Sequence, residues 1–253
     1  MAGRTLAFVV GLAVSVRAAL RDSSELKHSC FDFPAKNFHR GNSVKDAYGS
    51  SPHAAGGLEE GDEAFDFTLN DVEGNPVTLS TLVAEKPVLI LWGMWTCPAF
   101  QGLGIDAPFD ECSYKHEWKL VESMHKSVHV LHLVGPEPHP LAPDTNFDEG
   151  KLLMNYWSTT RQPKTYEARV ANAAKVAELV HPAATVLVDG VSSDLSDASN
   201  NAAWCSMGLG ARTATLIGTD GKVTFKQDWF HASDAITAIE KHFASQKVWT
   251  GLD

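Results

Sequence analysis

An apolar run that ends near a lone cysteine constrains this chain most. Residues 88–92 read Val-Leu-Ile-Leu-Trp, a composition typical of a strand buried on both faces. Gly93 follows the run, and Pro98 comes directly after Cys97. Proline suits the first turn of a helix, where its missing N–H costs no hydrogen bond. The segment predicts a buried strand that delivers Cys97 to a helix N-terminus, where the helix dipole and free N–H groups favour the reactive thiolate.

A competing interpretation treats Cys97 as a small buried hydrophobe, since free cysteine is among the most buried residue types. The strand, turn and proline around it favour a redox or nucleophilic cysteine instead. Phe100 stands where a CxxC motif has its second cysteine, which excludes dithiol exchange within the motif. The pairing of the remaining cysteines is left open: Cys30, Cys112 and Cys205.

The first 19 residues have the pattern of a secretory signal. Arg4 precedes an apolar run of 12 residues at 5–16, and the small residues Ala18 and Ala19 follow. A membrane span needs about 20 apolar residues, so a cleaved signal peptide over residues 1–19 is favoured over a membrane anchor. We therefore expect a protein of the secretory pathway, either secreted or held in the lumen of the endoplasmic reticulum.

Charge and turn residues divide the rest of the chain. The net charge is −10 and no basic run is present, which argues against nucleic acid and anionic membranes as partners. Residues 20–60 are rich in turn signals and are expected to form an irregular N-terminal arm. The folded domain is expected over residues 61–253, long enough for one sizeable core.

Strand and helix patterns alternate along the domain. The predicted order is a hairpin at 65–79, the strand 88–92, a helix at 108–126, a strand at 128–134, a helix at 166–180, a strand at 184–188, a hairpin at 213–227 and a helix at 233–243. The apolar stripe predicted for the helix at 108–126 consists of Trp118, Leu120, Val121 and Met124, and the inner face predicted for the helix at 166–180 consists of Val170, Ala173, Ala174, Ala177 and Val180. This order describes a thioredoxin-like α/β fold: a central mixed sheet flanked by helices, with an N-terminal β-hairpin extension. Sites in such sheets lie at the carboxyl ends of central strands, so Cys97 and His139 are expected to face one crevice.

Several segments resemble iodothyronine deiodinases. Residues 93–100, Gly-Met-Trp-Thr-Cys-Pro-Ala-Phe, are similar to the family's active-site segment Gly-Ser-Cys-Thr-selenocysteine-Pro-Pro-Phe. Glu-Pro-His-Pro at 137–140 resembles the family's Glu-Ala-His-Pro, and Arg-Gln at 161–162 resembles its His-Gln. The helix at 167–174, the strand at 186–189 and the turn at 221–223 continue the likeness, which covers roughly residues 65–243 in order.

The resemblance implies thiol-dependent reductive removal of iodine from an iodinated aromatic, as in thyroxine 5′-deiodination. It implies no bound cofactor and an external thiol as reductant. Cys97 takes the position of the catalytic selenocysteine, Thr96 that of the family's threonine, and His139 that of a histidine implicated in substrate handling or proton transfer. We predict four substrate-binding candidates: Glu137, Arg161, Arg169 and Arg212.

Three functions stay open from the sequence. The first is reductive dehalogenation, with Cys97 as nucleophile and a sulfenyl iodide or disulfide intermediate. The second is a peroxiredoxin-like thiol peroxidase, with Arg212 near the thiolate and Cys112 or Cys205 as the resolving thiol. The third is a secreted, non-catalytic binding module, which a buried or disulfide-locked Cys97 favours. The expected partners are a small-molecule substrate and a thiol reductant, a homodimer is left open, and no metal site is expected.

Overall fold

The computed structural model describes residues 20–21, 58–103, 109–141, 160–191, 202–207 and 212–249. The predicted signal peptide and most of the N-terminal arm lie outside these residues, as do Cys30 and the side chain of Cys205. None of the helices in the described ranges is both long enough and apolar enough to span a bilayer.

In these described residues, seven strands form one mixed sheet in the order β2-β1-β5-β4-β3-β6-β7. The strands are β1 (Thr68–Asp71), β2 (Pro76–Thr78), β3 (Val88–Trp92), β4 (His129–Val134), β5 (Ala184–Val188), β6 (Ala214–Ile217) and β7 (Val223–Gln227). The central strands β3, β4 and β5 pair in parallel, and all the other pairs are antiparallel. The predicted thioredoxin-like α/β fold with its N-terminal hairpin is thus confirmed.

Helices cover the sheet and join its parallel strands. They are α1 (Leu79–Val83), α2 (Pro98–Gln101), α3 (Tyr114–Met124), α4 (Tyr166–Ala177), α5 (Ala202–Met207) and α6 (Ala232–Trp249). The single helix predicted at 108–126 is instead a 3₁₀ turn, Phe109–Cys112, followed by α3. Ser113 separates the two because its backbone is extended, with φ −74° and ψ 159°.

The buried faces of two helices differ from the prediction. Of the inner face predicted for residues 166–180, Ala173 and Val180 are buried, Val170 and Ala177 are only partly buried, and Ala174 is exposed. The residues of α4 that the sheet buries are Arg169, Asn172, Ala173 and Val176. On α3, Trp118 was predicted to face inward but is 38 % exposed, whereas Glu117 is fully buried. Both errors arise because polar side chains occupy inner positions, where they form hydrogen bonds with other buried groups.

Parts of the N-terminal arm pack on the domain. The Arg21 amide donates to the Ala64 carbonyl at 2.8 Å, and the Arg21 carbonyl accepts from the Asp66 amide at 2.8 Å. The Arg21 guanidinium lies over the Phe65 ring, 4.1 Å from its centroid. Leu58 is also buried. The packed body therefore includes residues that precede the expected boundary at residue 61.

Candidate active site

Cys97 lies at the corner predicted for it, between the central strand β3 and the helix α2. It is the N-cap residue of α2, with an extended backbone, and Pro98 occupies the first turn. The Cys97 amide donates to the Met94 carbonyl at 3.0 Å, which closes the turn after β3, and its carbonyl accepts from the Gln101 amide at 3.0 Å. Cys97 is a free thiol. The local sequence therefore positions its sulfur as expected.

The electrostatics of Cys97 differ from the prediction. Its side chain is 1 % exposed, and burial raises the pKa of the thiol to about 11. The backbone N–H groups of Phe100 and Ala99 and the charge of Arg212 act in the opposite direction and lower this pKa. The expected thiolate stabilisation is present, but α2 is only four residues long and burial outweighs it. The prediction of a thiolate favoured at rest is wrong, and the burial itself is the observation expected of a binding module.

The turn at Thr96 joins the ends of β3 and β4. The Thr96 amide donates to Glu137 Oε2 at 2.8 Å. Thr96 Oγ1 accepts from the His139 amide at 3.0 Å. Thr96 and Glu137 are fully buried. The structure thus brings the Thr96–Cys97 turn and the segment 137–139 together at the carboxyl ends of neighbouring parallel strands, as the topology predicts.

Glu137 is the centre of this network and is not accessible from outside. Asn172 Nδ2 donates to Glu137 Oε1 at 2.8 Å. Gln162 bonds the Glu137 backbone twice: its Oε1 accepts from the amide at 2.9 Å and its Nε2 donates to the carbonyl at 3.0 Å. Burial raises the pKa of Glu137, while the hydrogen bonds from Thr96 and Asn172 oppose that rise. These hydrogen bonds fix Glu137 to the Thr96 turn, to Gln162 and to α4, and substrate binding by Glu137 stays a prediction.

His139 lies at the rim of the same network. Its side chain is 8 % exposed, and burial lowers its pKa to about 4. The imidazole is therefore neutral at neutral pH. A neutral imidazole can accept a proton, which is the property that a general base requires.

The two predicted arginines of the 161–169 segment lie in different places. Arg169 is fully buried, and its Nη1 donates to the carbonyls of Asp189, at 3.2 Å, and Gly190. It joins α4 to the end of β5. Arg161 is exposed on the surface, and its neighbour Gln162 makes the contacts with Glu137. Substrate binding by either arginine stays a prediction.

Arg212 belongs to a fully buried cluster behind α2. Its Nη2 donates to Glu117 Oε2 at 2.7 Å, and Nη1 and Nε donate to the carbonyls of Trp92 and Cys112 at 2.7 and 2.6 Å. The other carboxylate oxygen of Glu117 lies 2.6 Å from His132 Nδ1. All three nitrogen atoms of the Arg212 guanidinium thus donate to oxygen atoms of the protein. Its placement supports an electrostatic effect on Cys97 rather than direct contact with a substrate.

A second free thiol, Cys112, lies behind the same helix. It is fully buried, and its Sγ lies 3.9 Å from the Ala99 carbonyl within α2. Cys112 also raises the pKa of Cys97, so the two sulfurs interact electrostatically. Across the described ranges, no group of three or more His, Cys, Asp or Glu side chains is arranged to hold a metal ion.

Sequence reasoning missed four polar residues that build the site. Asn172 and Gln162 hold Glu137, while Glu117 and His132 hold Arg212. Glu117 did leave a signal, because it precedes Leu120 and Val121 by three and four positions and so shares their apolar face. His132 left another, because it interrupts the apolar run of β4. A polar residue inside such a pattern indicates a buried partner.

Comparisons with known proteins report distant likeness to solved structures. The thioredoxin domain of a thiol-disulfide oxidoreductase from Bacteroides vulgatus matches with a TM-score of 0.45 and 13 % identity, over 73 % of this chain and 98 % of that one. Peroxidoxin BcpB from Mycobacterium tuberculosis matches with a TM-score of 0.41 and 19 % identity, over 73 % and 97 %. Yeast Sco1 with copper bound matches with a TM-score of 0.39 and 17 % identity, over 78 % and 96 %.

No protein-family model matches the chain, and no curated protein matches it either. Structural similarity at such low sequence identity and TM-score does not indicate an activity for this chain. The thioredoxin-like architecture itself is read from the strand order and pairing described above.

Proposed function

We propose that this protein is a thiol-dependent oxidoreductase in which Cys97 is the nucleophile. The observation that carries the proposal is a free cysteine at the start of α2, at the carboxyl end of a central parallel strand. Sites of α/β sheets are found at such strand ends. The neutral imidazole of His139 follows the next strand and is proposed as the group that accepts the thiol proton.

The substrate class proposed first is an iodinated aromatic, supported by the resemblance of residues 93–100 and 137–140 to deiodinase segments. In one concerted step the sulfur bonds to iodine as the carbon–iodine bond breaks, and the Cys97 proton is relayed through His139 without a separate imidazolium intermediate. The electron pair of that bond stays on carbon, which takes the proton from His139. The products of this step are the reduced aromatic and a sulfenyl iodide on Cys97.

An external thiol completes the cycle. The first thiol attacks the Cys97 sulfur, releases iodide and a proton, and leaves a mixed disulfide. A second thiol reduces that disulfide, restores the Cys97 thiol and leaves as the oxidised reductant. The carbon–iodine bond gains two electrons and two thiols lose them, so the chain itself needs no bound redox group.

The buried network supports this chemistry by fixing the turn. Thr96 is bonded through both its amide and its hydroxyl, and Glu137 is held by Asn172 and Gln162. Buried side chains whose hydrogen bonds are all formed stay in one position. They therefore keep a neighbouring reactive group in place, so that it does not have to reorganise at each turnover. Thr96 and Glu137 are therefore proposed as positioning residues for Cys97 and His139.

The test is thiol-dependent iodide release from iodinated phenols by the full chain, alongside hydroperoxide consumption. We expect iodide release that is lost in Cys97→Ser and reduced roughly 10²-fold or more in His139→Asn. His129→Asn is the matched control, since His129 lies at the surface on β4 and pairs with Glu85. Iodide release that persists in Cys97→Ser would refute the assignment.

A peroxidase is the second candidate, favoured by the placement of Cys112 and Arg212. A hydroperoxide would oxidise the Cys97 thiolate to a sulfenic acid and leave as the alcohol. The Cys112 thiol would then displace water from that sulfenic acid and form a Cys97–Cys112 disulfide. Peroxide turnover without iodide release, with that disulfide found by mass spectrometry and absent in Cys112→Ser, would select this candidate.

A non-catalytic binding module is the third candidate, favoured by the burial of Cys97. The same assay separates it from the other two. Neither iodide release nor peroxide consumption, together with a Cys97 thiol that resists alkylation in the folded chain, would leave this candidate alone.

A further inference from the structure

The buried cluster behind Cys97 contains a histidine whose hydrogen bonds determine its protonation. His132 Nδ1 lies 2.6 Å from Glu117 Oε1, and His132 Nε2 lies 2.9 Å from the Gly93 carbonyl oxygen. A backbone carbonyl only accepts hydrogen bonds, and so does an ionised carboxylate. The His132 side chain is fully buried, so water does not offer either nitrogen another partner.

Glu117 is ionised in this arrangement. Its other oxygen accepts from Arg212 Nη2 at 2.7 Å, and the guanidinium charge favours the carboxylate, although burial acts in the opposite direction on the pKa of Glu117. Both ring nitrogens of His132 therefore face acceptors, and both must carry a proton.

We propose that His132 carries a proton on both ring nitrogens, so that its charge, with that of Arg212, exceeds the single charge of Glu117 and stabilises negative charge formed on Cys97. Two cationic side chains and one carboxylate leave one net positive charge. In the part of the chain that the structure describes, no second carboxylate bonds to either cation. The inference rests on the proposed role of Cys97 as nucleophile.

Packing connects this charge with the reacting corner. The centroid of the Phe100 ring of α2 lies 5.2 Å from that of the His132 ring and 5.2 Å from the Arg212 guanidinium carbon. The Gly93 carbonyl that accepts from His132 belongs to the turn that leads to Cys97. The positive charge of Arg212 already lowers the pKa of Cys97. A buried charge is weakly screened, so its effect extends to a thiol that is buried beside it.

The packing around Gly93 shows how closely the imidazolium is enclosed. A Cβ at Gly93 would lie 2.6 Å from His132 Cε1 and 2.7 Å from Phe100 Cδ2. Only a glycine leaves room for the ring at hydrogen-bond distance from this carbonyl. His132 acts on Cys97 through its charge, and is thus a positioning residue rather than a catalytic one.

Nitrogen-detected NMR of the His132 ring tests the protonation directly in the unmodified full chain, without substrate. We expect two protonated ring nitrogens at pH 7. A ring with one unprotonated nitrogen at pH 7 would overturn the inference. Because no turnover is measured, this result is independent of whether Cys97 is a nucleophile towards any substrate.

The pH profile of Cys97 alkylation by iodoacetamide tests the effect of the charge. We expect His132→Gln, which removes the charge and keeps a hydrogen-bonding side chain, to slow alkylation at a given pH by roughly tenfold and to shift the profile to higher pH. His129→Gln, at the partly exposed start of the same strand, should leave the profile unchanged. An unchanged profile in folded His132→Gln would overturn the charge effect.

The NMR and alkylation measurements distinguish failure of this inference from failure of the proposed function. A doubly protonated ring and a shifted alkylation profile, without any turnover, would sustain this inference and refute the proposed function. If His132→Gln does not fold, the NMR measurement on the unmodified chain still decides the protonation state.

Discussion

At the scale of single residues, Cys97 shows which of two opposing effects dominates. A helix start offers N–H groups and a dipole that favour thiolate, and these are worth about 0.3–1 kcal/mol at an exposed terminus. Removing a thiolate from water acts in the opposite direction and is the larger effect here, because the pKa of Cys97 reaches about 11. A thiol with this pKa reacts at neutral pH only if its proton is removed in the same step, and the neutral imidazole of His139 is the proposed acceptor.

The alkylation of Cys97 in the resting protein should therefore be slow. At pH 7 a pKa of about 11 leaves roughly one hundredth of the thiolate of an ordinary thiol with the reference value of 9.0. We expect the rate of reaction with iodoacetamide, followed by mass spectrometry, to keep rising with pH beyond pH 9. Peptide-level mass spectrometry distinguishes Cys97 from the other three cysteines, Cys97→Ser is the control for the assignment, and a midpoint below pH 8 would contradict the structure.

Gly93 is a second residue whose identity can be tested. Its Gly93→Ala variant would place Cβ against the buried His132 and Phe100 rings, neither of which has free space. We expect the free energy of unfolding, measured in urea, to fall by about 1–3 kcal/mol. Gly218→Ala is the matched control, because its Cβ meets the end of the exposed Asp220 side chain, which can move. Equal losses in both variants would exclude the packing explanation.

At the scale of elements, α4 shows why its inner face was predicted wrongly. The pattern method assumes that small and apolar residues face the sheet. Here Arg169 and Asn172 face inward, because the β5 end supplies carbonyls to one and Glu137 accepts from the other. The helix is therefore fixed to the site by polar contacts rather than by an apolar stripe alone.

The bond between α4 and the segment after β4 can be measured by a double-mutant cycle. Asn172→Ala leaves the buried Glu137 Oε1 without its amide donor, and we expect a loss of about 1–3 kcal/mol in the free energy of unfolding. Glu137→Gln and the double variant complete the cycle. Strictly additive losses would show that the two side chains do not stabilise each other.

Sequence reasoning was most accurate where one physical rule decides the outcome. The run 88–92 became β3 with both bounds as predicted, because a continuous apolar segment can only be buried in the centre of a sheet. Cys97 and Pro98 began a helix, because proline is compatible with a first turn. The cluster of Glu117, His132 and Arg212 could not be predicted, because its members are far apart in the chain and only the fold brings them together.

At the scale of the whole molecule, the same cluster joins three elements of the fold. Glu117 comes from α3, His132 from the central strand β4, and Arg212 from the segment that leads into β6. Arg212 also lies over the Phe230 ring, 4.5 Å from its centroid, in the segment that precedes α6. A buried ion pair contributes little net stability compared with an apolar core, but losing one partner leaves an uncompensated charge. The cluster therefore makes global stability depend on one carboxylate.

That dependence predicts how stability changes with pH. The pKa of Glu117 is about 2 in the fold, compared with a reference value of 4.5 for the unfolded chain. Its contribution to stability is therefore fully present above pH 4.5 and is lost as pH falls towards 2. We expect the free energy of unfolding, measured in urea between pH 2 and pH 8, to show this acid-dependent component in the unmodified chain and to lack it in Glu117→Gln.

At pH 7 the Glu117→Gln chain should be less stable by about 3–5 kcal/mol, because Arg212 and His132 then lack their shared carboxylate. The loss should narrow as the pH falls, since protonation removes the same charge from the unmodified chain. Glu122→Gln is the matched control: Glu122 lies on the exposed face of α3. If Glu117→Gln and Glu122→Gln gave the same pH profile, the carboxylate of Glu117 would not be the group on which acid stability depends.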